Sequence, residues 1–359
     1  GFVAMSDFLI SLDPSVAPPR LLALLQKPYG AKAPPGQCMR YPWGTVAILH
    51  ERIGRRSNVV SSSGLSLAWV GELLYSGGSD SIKTALETAE KSLSSSPTGA
   101  ASEKTLQASG ILNALNGAYA VVLAGANQLA VVTDPMGSVQ IYSGRNTQDK
   151  VIALGTHPDL VAALARPHWE IDPVSVCDFL NVGIPCCPYT MHQHVTELWP
   201  GTVAFHLFSG DQPPLNGEFR YWTPPAEEAN ASDGRELVRE FVDRWQRAVL
   251  ARCDGDLLAV QLSGGMDSRL VLASIPPEKK CVCVTLCDTL NREARFARRV
   301  ARTYRREWIP LQRDEEYLGR TAESAIGFTG CEGEWHHGHT IGFADRLEQL
   351  GVTSVFTGL

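Results

Sequence analysis

The stretch LLAVQLSGGMDSRLVLAS, residues 257–274, decides how this chain is read. Residues 257–262 form a continuous apolar run with the length and composition of a strand buried on both faces. The run passes directly into Ser263-Gly264-Gly265-Met266-Asp267-Ser268, after which residues 267–274 read as a helix. Two adjacent glycines let backbone amides close around an anion. Ser263 and Ser268 add hydroxyl donors, and the helix amino terminus adds its partial positive charge. A phosphate chain is the expected ligand. An acid inside such a cradle repels the anion unless a divalent cation lies between them, which makes Asp267 a candidate Mg²⁺ ligand. A plain glycine turn capped by Asp267 or Ser268 also satisfies these residues, but strand, paired glycines, acid and helix in one run favour the anion loop. The spacing is not the Gly-x4-Gly-Lys-Ser/Thr of a Walker loop.

Downstream, residues 281–286 and 307–311 read as buried strands and 352–357 as a third, alternating with helical patterns over 291–305 and 343–350. Apolar strands alternating with helices predict a parallel sheet with crossover connections, whose ligands bind at the carboxyl ends of the strands. Upstream the rhythm differs. Residues 45–49, 65–70, 118–123, 130–133, 151–154 and 203–207 carry β character with turn signals between them, interrupted by helical patterns at 81–90 and 172–180. Residues 91–103, rich in Ser and Ala, read as a surface loop. A Pro-, Gly- and Asn-rich shift over 209–234 marks a boundary. The expected organisation is therefore a β-rich domain over 1–208, a linker over 209–234 and an α/β domain over 235–359.

A length of 359 residues suits two domains, and 44% apolar with 19% charged residues suits a buried core. Thirty-two basic against 38 acidic residues leave a net charge of −6. No overall field draws the chain to nucleic acid or anionic lipid, and any such binding has to be local. Nine cysteines without paired spacing fit a reducing compartment, hence a cytoplasmic protein. Neither a signal peptide nor a membrane span is expected, since the longest apolar stretch, 118–132, is broken by Asn127 and Gln128.

Two further clusters stand out. In Cys331-Glu332-Gly333-Glu334-Trp335-His336-His337-Gly338-His339 the thiol and imidazoles can ligate a metal, but their spacing matches no closed zinc site; loop histidines more often meet solvent or substrate. Arg292, Arg295, Arg298, Arg299, Arg302, Arg305 and Arg306 crowd one helix and its end. A solvated cationic face is the bland reading. The sharper one is a local site for an acidic partner, a leader peptide or RNA.

The Ser263–Ser268 loop resembles the pyrophosphate loop of N-type ATP pyrophosphatases, and more of the chain narrows the match to the asparagine synthetase family. Leu198-Trp199-Pro200-Gly201-Thr202 looks like its turn before the last amino-terminal strand, and Arg220-Tyr221-Trp222 like its entry to the linker. Asp134-Pro135-Met136-Gly137 and Ile141-Tyr142 look like signatures of its class II amidotransferase domain. Glu293, Ala294, Ala297 and Ala301 fit the helix after its second strand, and Thr357-Gly358 fits a second pyrophosphate-side loop. The resemblance implies an Ntn-type αββα sandwich followed by a doubly wound parallel sheet, adenine nucleotide α-hydrolase-like and shortened at its carboxyl end. It implies ATP and Mg²⁺ as cofactors, adenine bound at the backbone of Val284, Thr285 and Leu286, and substrate contacts at Trp335, His336 and His337. It also allows a homodimer.

Two departures shape the functional expectation. Residues 1–8 lack the cysteine that serves this family as glutaminase nucleophile, and its Asn-Gly-Glu oxyanion segment reads Val70-Gly71-Glu72. The chain therefore resembles β-lactam synthetases and lasso-peptide cyclases, relatives in which the nitrogen nucleophile belongs to a small-molecule or peptide carboxylate substrate. The expected activity is an AMP-forming C–N ligase: carboxylate adenylation with pyrophosphate release, then attack by an amine. The family's transition-state residues are expected beyond Leu359. A glutamine-hydrolysing asparagine synthetase, a tRNA-modifying pyrophosphatase and a nucleotide-binding pseudoenzyme are the alternatives.

Overall fold

The computed structural model describes residues 7–51, 53, 58–62, 64–75, 112, 115–166, 168, 170–209, 214–226, 234–330 and 341–358. Their amino-terminal part is built on two six-stranded antiparallel sheets. The first sheet contains β1 (Phe8–Ser11), β2 (Gly36–Tyr41), β3 (Gly44–Leu49), β8 (Tyr142–Arg145), β9 (Val151–Gly155) and β10 (Val195–Glu197), in the order β10-β8-β9-β1-β3-β2. The second contains β4 (Val59–Ser61), β5 (Leu65–Tyr75), β6 (Leu115–Gly125), β7 (Gln128–Thr133), β11 (Thr202–Leu207) and β12 (Leu215–Arg220), in the order β12-β11-β7-β6-β5-β4.

The two-residue side-chain period explains why the sheets stack. Phe8 and Ile10 of β1, Val46 and Ile48 of β3, and Ala120, Val122 and Ala124 of β6 meet in one core between the sheets. Their neighbours point the other way. Leu9, Ala47 and Leu49 pack on Leu21 and Leu25 of α1 (Pro18–Gln26) and on Leu160 and Val161 of α2 (Pro158–Ala165). Tyr119, Val121 and Leu123 form a third layer with Leu65, Leu67 and Leu112. Each large aliphatic side chain buried this way contributes about 1.5–3 kcal/mol. Trp43 ties the sheets together: its ring stacks between Tyr41 and Phe208, and its indole N–H donates to the Gly125 carbonyl at 2.8 Å. The helix expected over 81–90 and the loop over 91–103 lie outside the described residues.

The carboxyl part holds a four-stranded, wholly parallel sheet of β13 (Leu258–Gln261), β14 (Cys281–Cys287), β15 (Glu307–Gln312) and β16 (Ser354–Phe356), in the order β15-β14-β13-β16. Both faces are covered. Val260, Leu262 and Cys283 pack with Val249 of α4 (Gly234–Ala251), Val271 and Leu272 of α5 (Met266–Ser274), and Ala297 and Ala301 of α6 (Arg292–Thr303). On the other face, Ala259, Val282 and Val284 meet Leu347 of α8 (Phe343–Gln349), and Ile53 from the amino-terminal part joins them. This is the doubly wound arrangement expected from the strand–helix alternation.

Three expected boundaries change. Residues 209–234, read as linker, contain β12, which pairs antiparallel with β11 from Thr202↔Arg220 to Leu207↔Leu215. The helix expected over 291–305 ends at Thr303, with Tyr304 as its cap and Arg305 at φ 55. The strand expected over 65–70 continues to Tyr75 alongside β6.

The two parts touch at several points. Arg252 Nε meets a Glu72 carboxylate oxygen at 2.5 Å, and Lys32 meets Asp345 at 2.6 Å. The buried His157 donates from Nε2 to the carbonyl of Gly327, in α7 (Tyr317–Thr329), at 2.7 Å. Tyr29 stands edge-on to Phe328 of the same helix.

Candidate anion-binding site at the strand switch point

The order β15-β14-β13-β16 places the point where winding reverses between β13 and β16. Connections leaving neighbouring strands there depart to opposite faces and open a crevice at the carboxyl ends, where ligands of such sheets bind. The Ser263–Ser268 loop leaves β13 at this crevice. Thr357 and Gly358 follow β16 on the other side of it. The two loops are in contact: a Cβ added to Gly358 would lie 2.4 Å from the Ser268 backbone nitrogen and 2.8 Å from its Cα. Only a glycine permits that approach.

Within the loop, hydroxyls hold the turn. The buried Ser268 Oγ accepts from Ser263 N–H at 3.1 Å and lies 2.9 Å from Ser263 Oγ, while Gly265 N–H donates to Ser263 Oγ at 3.1 Å. The serines thus shape the loop from inside. Its first helical turn is left open, because Gly265 caps α5 without a side-chain hydrogen bond. The orphan N–H groups at a helix start face outward and favour an anion. Asp267, in that first turn, is exposed.

A residue of a neighbouring element enters the loop. Glu293, in the first turn of α6, accepts the Gly264 N–H at 3.0 Å, and its side chain lies against the face of Gly264. A carboxylate therefore occupies one of the donors that a phosphate would use. Its sequence signal was its place on α6, which starts just beyond the carboxyl end of β14 and beside the loop after β13.

The residues at the end of β14 are close but largely engaged. Leu262 N–H donates to the Val284 carbonyl at 2.8 Å. The buried Thr285 hydroxyl donates to the Leu262 carbonyl and accepts the Trp308 indole N–H, each at 2.8 Å. Leu286 packs with Leu311 and Val284. The side chains at 284–286 brace the sheet, so an adenine contact there falls to the backbone. Trp335, His336, His337 and the rest of the 331–339 cluster lie outside the described residues.

The donors fit a hard cation. Asp267 offers an exposed carboxylate, and among the described residues no three His, Cys, Asp or Glu side chains gather as a metal cage. Mg²⁺ takes few protein ligands and completes its shell with water and phosphate oxygens, so a single exposed acid beside an anion cradle suits it.

The amino-terminal signature residues are structural. Asp134 is fully buried and accepts from the backbone N–H groups of Met136 and Ser138, each at 2.8 Å, while its carbonyl accepts from Gly137 and Gly201. It locks the Asp134–Gly137 turn against the Leu198–Thr202 turn. Cys38 is no activated thiol: burial raises it above the ordinary thiol range, and Sγ donates to the Pro18 carbonyl. Glu72, at the altered oxyanion segment, is committed to Arg252.

At the head of β1, Asp7 is buried. Thr156 donates to it at 2.6 Å, Tyr29 donates to its other oxygen, and desolvation holds its carboxyl above the ordinary range. Tyr29 in turn is held well above the usual phenol range by burial and by the Asp7 charge.

No known family model matches the chain, and no curated protein matches it. Solved structures do align with it, two of them as follows. One is described as the allosteric regulatory enzyme of purine biosynthesis: 10% identity, 99% of this chain, 83% of the other, TM-score 0.32. The second is the glutamine phosphoribosylpyrophosphate amidotransferase of B. subtilis complexed with ADP and GMP: 13% identity, 88% of this chain, TM-score 0.31. This chain spans 61% of that one. Overlap at this level carries no argument about fold or activity. Among the described residues, no helix is long and apolar enough to cross a membrane.

Proposed function

We propose that the chain is an ATP-dependent, AMP-forming ligase that activates a carboxylate and passes it to an amine, in the manner of the asparagine synthetase family and without glutamine hydrolysis. One observation carries the reading: the open amino terminus of α5 sits at the strand switch point, within contact of the Gly358 loop. An anion bound there meets two backbone edges at once, which suits the pyrophosphate half of ATP.

In this reading the first-turn amides of α5 orient the β and γ phosphates, and the Gly358 loop closes over them. Ser263 and Ser268 keep the turn rigid. Glu293 releases the Gly264 N–H as the phosphates arrive, so the loop gains a donor only when occupied. Asp267 holds Mg²⁺, which would supply the charge neutralisation that lets pyrophosphate depart. The substrate carboxylate attacks the α phosphorus, pyrophosphate leaves, and an amine then attacks the acyl carbon to displace AMP. Backbone at Val284–Leu286 is proposed to hold adenine, and Trp335, His336 and His337 to face the acceptor. In the amino-terminal domain, Cys38 offers no activated thiol and Glu72 is spoken for by Arg252, in keeping with a nitrogen donor other than glutamine.

The test is exchange of labelled pyrophosphate into ATP with a panel of carboxylates, together with MgATP binding by calorimetry. Exchange that depends on one carboxylate is the expected result. In Asp267→Asn, Mg²⁺-dependent ATP binding should weaken at least tenfold at an unchanged Tm. Undiminished MgATP affinity in that variant overturns the assignment of the loop, and binding without any exchange reduces the chain to a nucleotide-binding protein.

A further inference from the structure

Helix α6 carries its arginines in a line. Arg292, Arg295, Arg299 and Arg302 are all exposed, and at about 100° per residue they fall within about 80° of arc. That stripe lies away from the face of Ala294, Ala297 and Ala301, which is fully buried. Other arginines of this chain are compensated. In α4, Arg244 pairs with Glu240 at 2.6 Å and Arg247 with Asp243, and in α7 Arg320 pairs with Asp314 at 2.8 Å. Of the neighbours on α6, Arg298 lies over the Trp308 ring, and Arg306 just past the helix binds the carbonyls of Pro276 and Lys279. For the four stripe arginines, no carboxylate among the described residues lies within ion-pair range.

Helix stability accounts for only part of the pattern. Arg302 in the last turn favours the helix dipole, but Arg292 in the first turn opposes it, and like charges three and four residues apart repel. The one acid of α6, Glu293, is turned away to Gly264. A stripe that is costly to the free helix is a stripe for an external anion.

We propose that this face of α6 binds the phosphodiester backbone of a nucleic acid. The four arginines run from residue 292 to residue 302, about 15 Å of helix axis, and present a row of cations to the row of phosphates along a strand. An acidic peptide would match the charge but would bring no bases to the exposed rings beside the stripe. Every cation from 292 to 306 is arginine and none is lysine, the residue whose planar fork grips a phosphate with two hydrogen bonds. The patch also has aromatic edges. Phe296, beside the stripe, is 37% exposed and has the Arg269 guanidinium 5.3 Å above its ring, and Tyr304 at the helix end is 44% exposed. Exposed rings among cations give bases a surface on which to stack. The net charge of −6 gives no long-range help, so this is a local, salt-sensitive contact. The proposal does not depend on the ATP reading of the loop.

The experiment is fluorescence anisotropy of a labelled 20-base-pair DNA duplex and of a 20-nucleotide single-stranded RNA, titrated with the full chain from 50 to 200 mM salt. Four phosphate contacts predict a slope of log K against log salt of about −3.6 for duplex, or about a 150-fold loss of affinity over that range. In R292Q/R295Q/R299Q/R302Q the slope should flatten towards zero. R244Q/R247Q, which removes arginines already paired, should bind like the wild type. R292K/R295K/R299K/R302K preserves the charge and the fold, and should keep the slope while binding several-fold more weakly. Should the glutamine variant fail to fold, the lysine variant decides: unchanged affinity removes the role given to the guanidinium forks. No binding by the wild type at 50 mM salt overturns the proposal. Wild-type binding that the glutamine variant retains, or that poly-glutamate displaces as readily as nucleic acid does, overturns it as well.

Discussion

Replacing Gly358 by alanine tests the junction of the two loops at the strand switch point. The new Cβ would meet Ser268 N at 2.4 Å, Cα at 2.8 Å and Cβ at 3.0 Å. All three are backbone or first side-chain atoms of a helix start, so no flexible tip can swing aside. Overpacking of this kind costs about 1–3 kcal/mol. In the free protein the loop after β16 relieves it by moving off α5, since among the described residues β16 pairs only with β13, at the sheet edge. A ligand that needs both loops has to restore the approach, and the strain then appears in its affinity: about 5- to 150-fold weaker MgATP binding, with a small change in Tm. Calorimetric titration with MgATP, alongside thermal unfolding, reads both quantities. Gly319→Ala is the control, because a Cβ there meets nothing within 4 Å; in the first turn of α7 it should leave both Tm and ATP binding essentially unchanged. MgATP affinity unchanged in Gly358→Ala would refute the claim that the two loops share a ligand.

Three other outcomes follow from the same structure. Glu293→Gln removes a negative charge from the loop while leaving an acceptor for Gly264 N–H; Mg²⁺-free pyrophosphate should bind roughly tenfold more tightly, in line with about 1–2 kcal/mol of relieved repulsion at a solvent-exposed site, and equal or weaker binding argues against the cradle. Burial lowers His206 from 6.5 to about 4. The unfolded chain takes up a proton there between those values and the native one does not, so stability is full above pH 6.5 and is lost as the pH falls towards 4. Between pH 7 and pH 5 the loss is about 1.8 kcal/mol, and urea unfolding of His206→Gln should lack that increment. Tyr29→Phe leaves a buried Asp7 oxygen without its phenol donor and should cost about 1–3 kcal/mol in denaturant unfolding; an unchanged midpoint would mean that the hydrogen bond contributes nothing.

The sequence was informative where local pattern and chemistry coincide. The 257–274 stretch displays strand, loop and helix because the strand is apolar on both faces and the glycines follow it at once; β13, the loop and α5 lie where that pattern puts them. The strands of the double sheet were partly visible through alternation, as in β3 and β6. Strand β12 was hidden: at the edge of its sheet most of its side chains face solvent, with Phe219 turned to the core, and Leu215, Asn216 and Gly217 between proline-rich flanks look like linker. The site was legible up to its own segment and no further. Contacts such as Glu293 to Gly264, Trp308 to Thr285 and Arg252 to Glu72 join residues 23 to 180 positions apart, and only the folded sheet order brings them together. The arginine stripe was legible as composition, but its lack of acidic partners depends on what surrounds α6.

The sheet order also dictates when the proposed anion site can form. Strands β13, β14 and β15 follow one another through short crossovers and pair with their sequence neighbours. Strand β16 must instead return to the far side of β13, pairing Leu258 with Ser354. Closing a loop of that length is entropically the more expensive step and belongs late in folding. Because the Gly358 edge arrives with β16, a folding intermediate that has already buried β13 to β15 would still lack half of the cradle. Recovery of anion binding during refolding should therefore lag behind recovery of the β13 to β15 core, so that ligand affinity acts as a timer for the docking of β16.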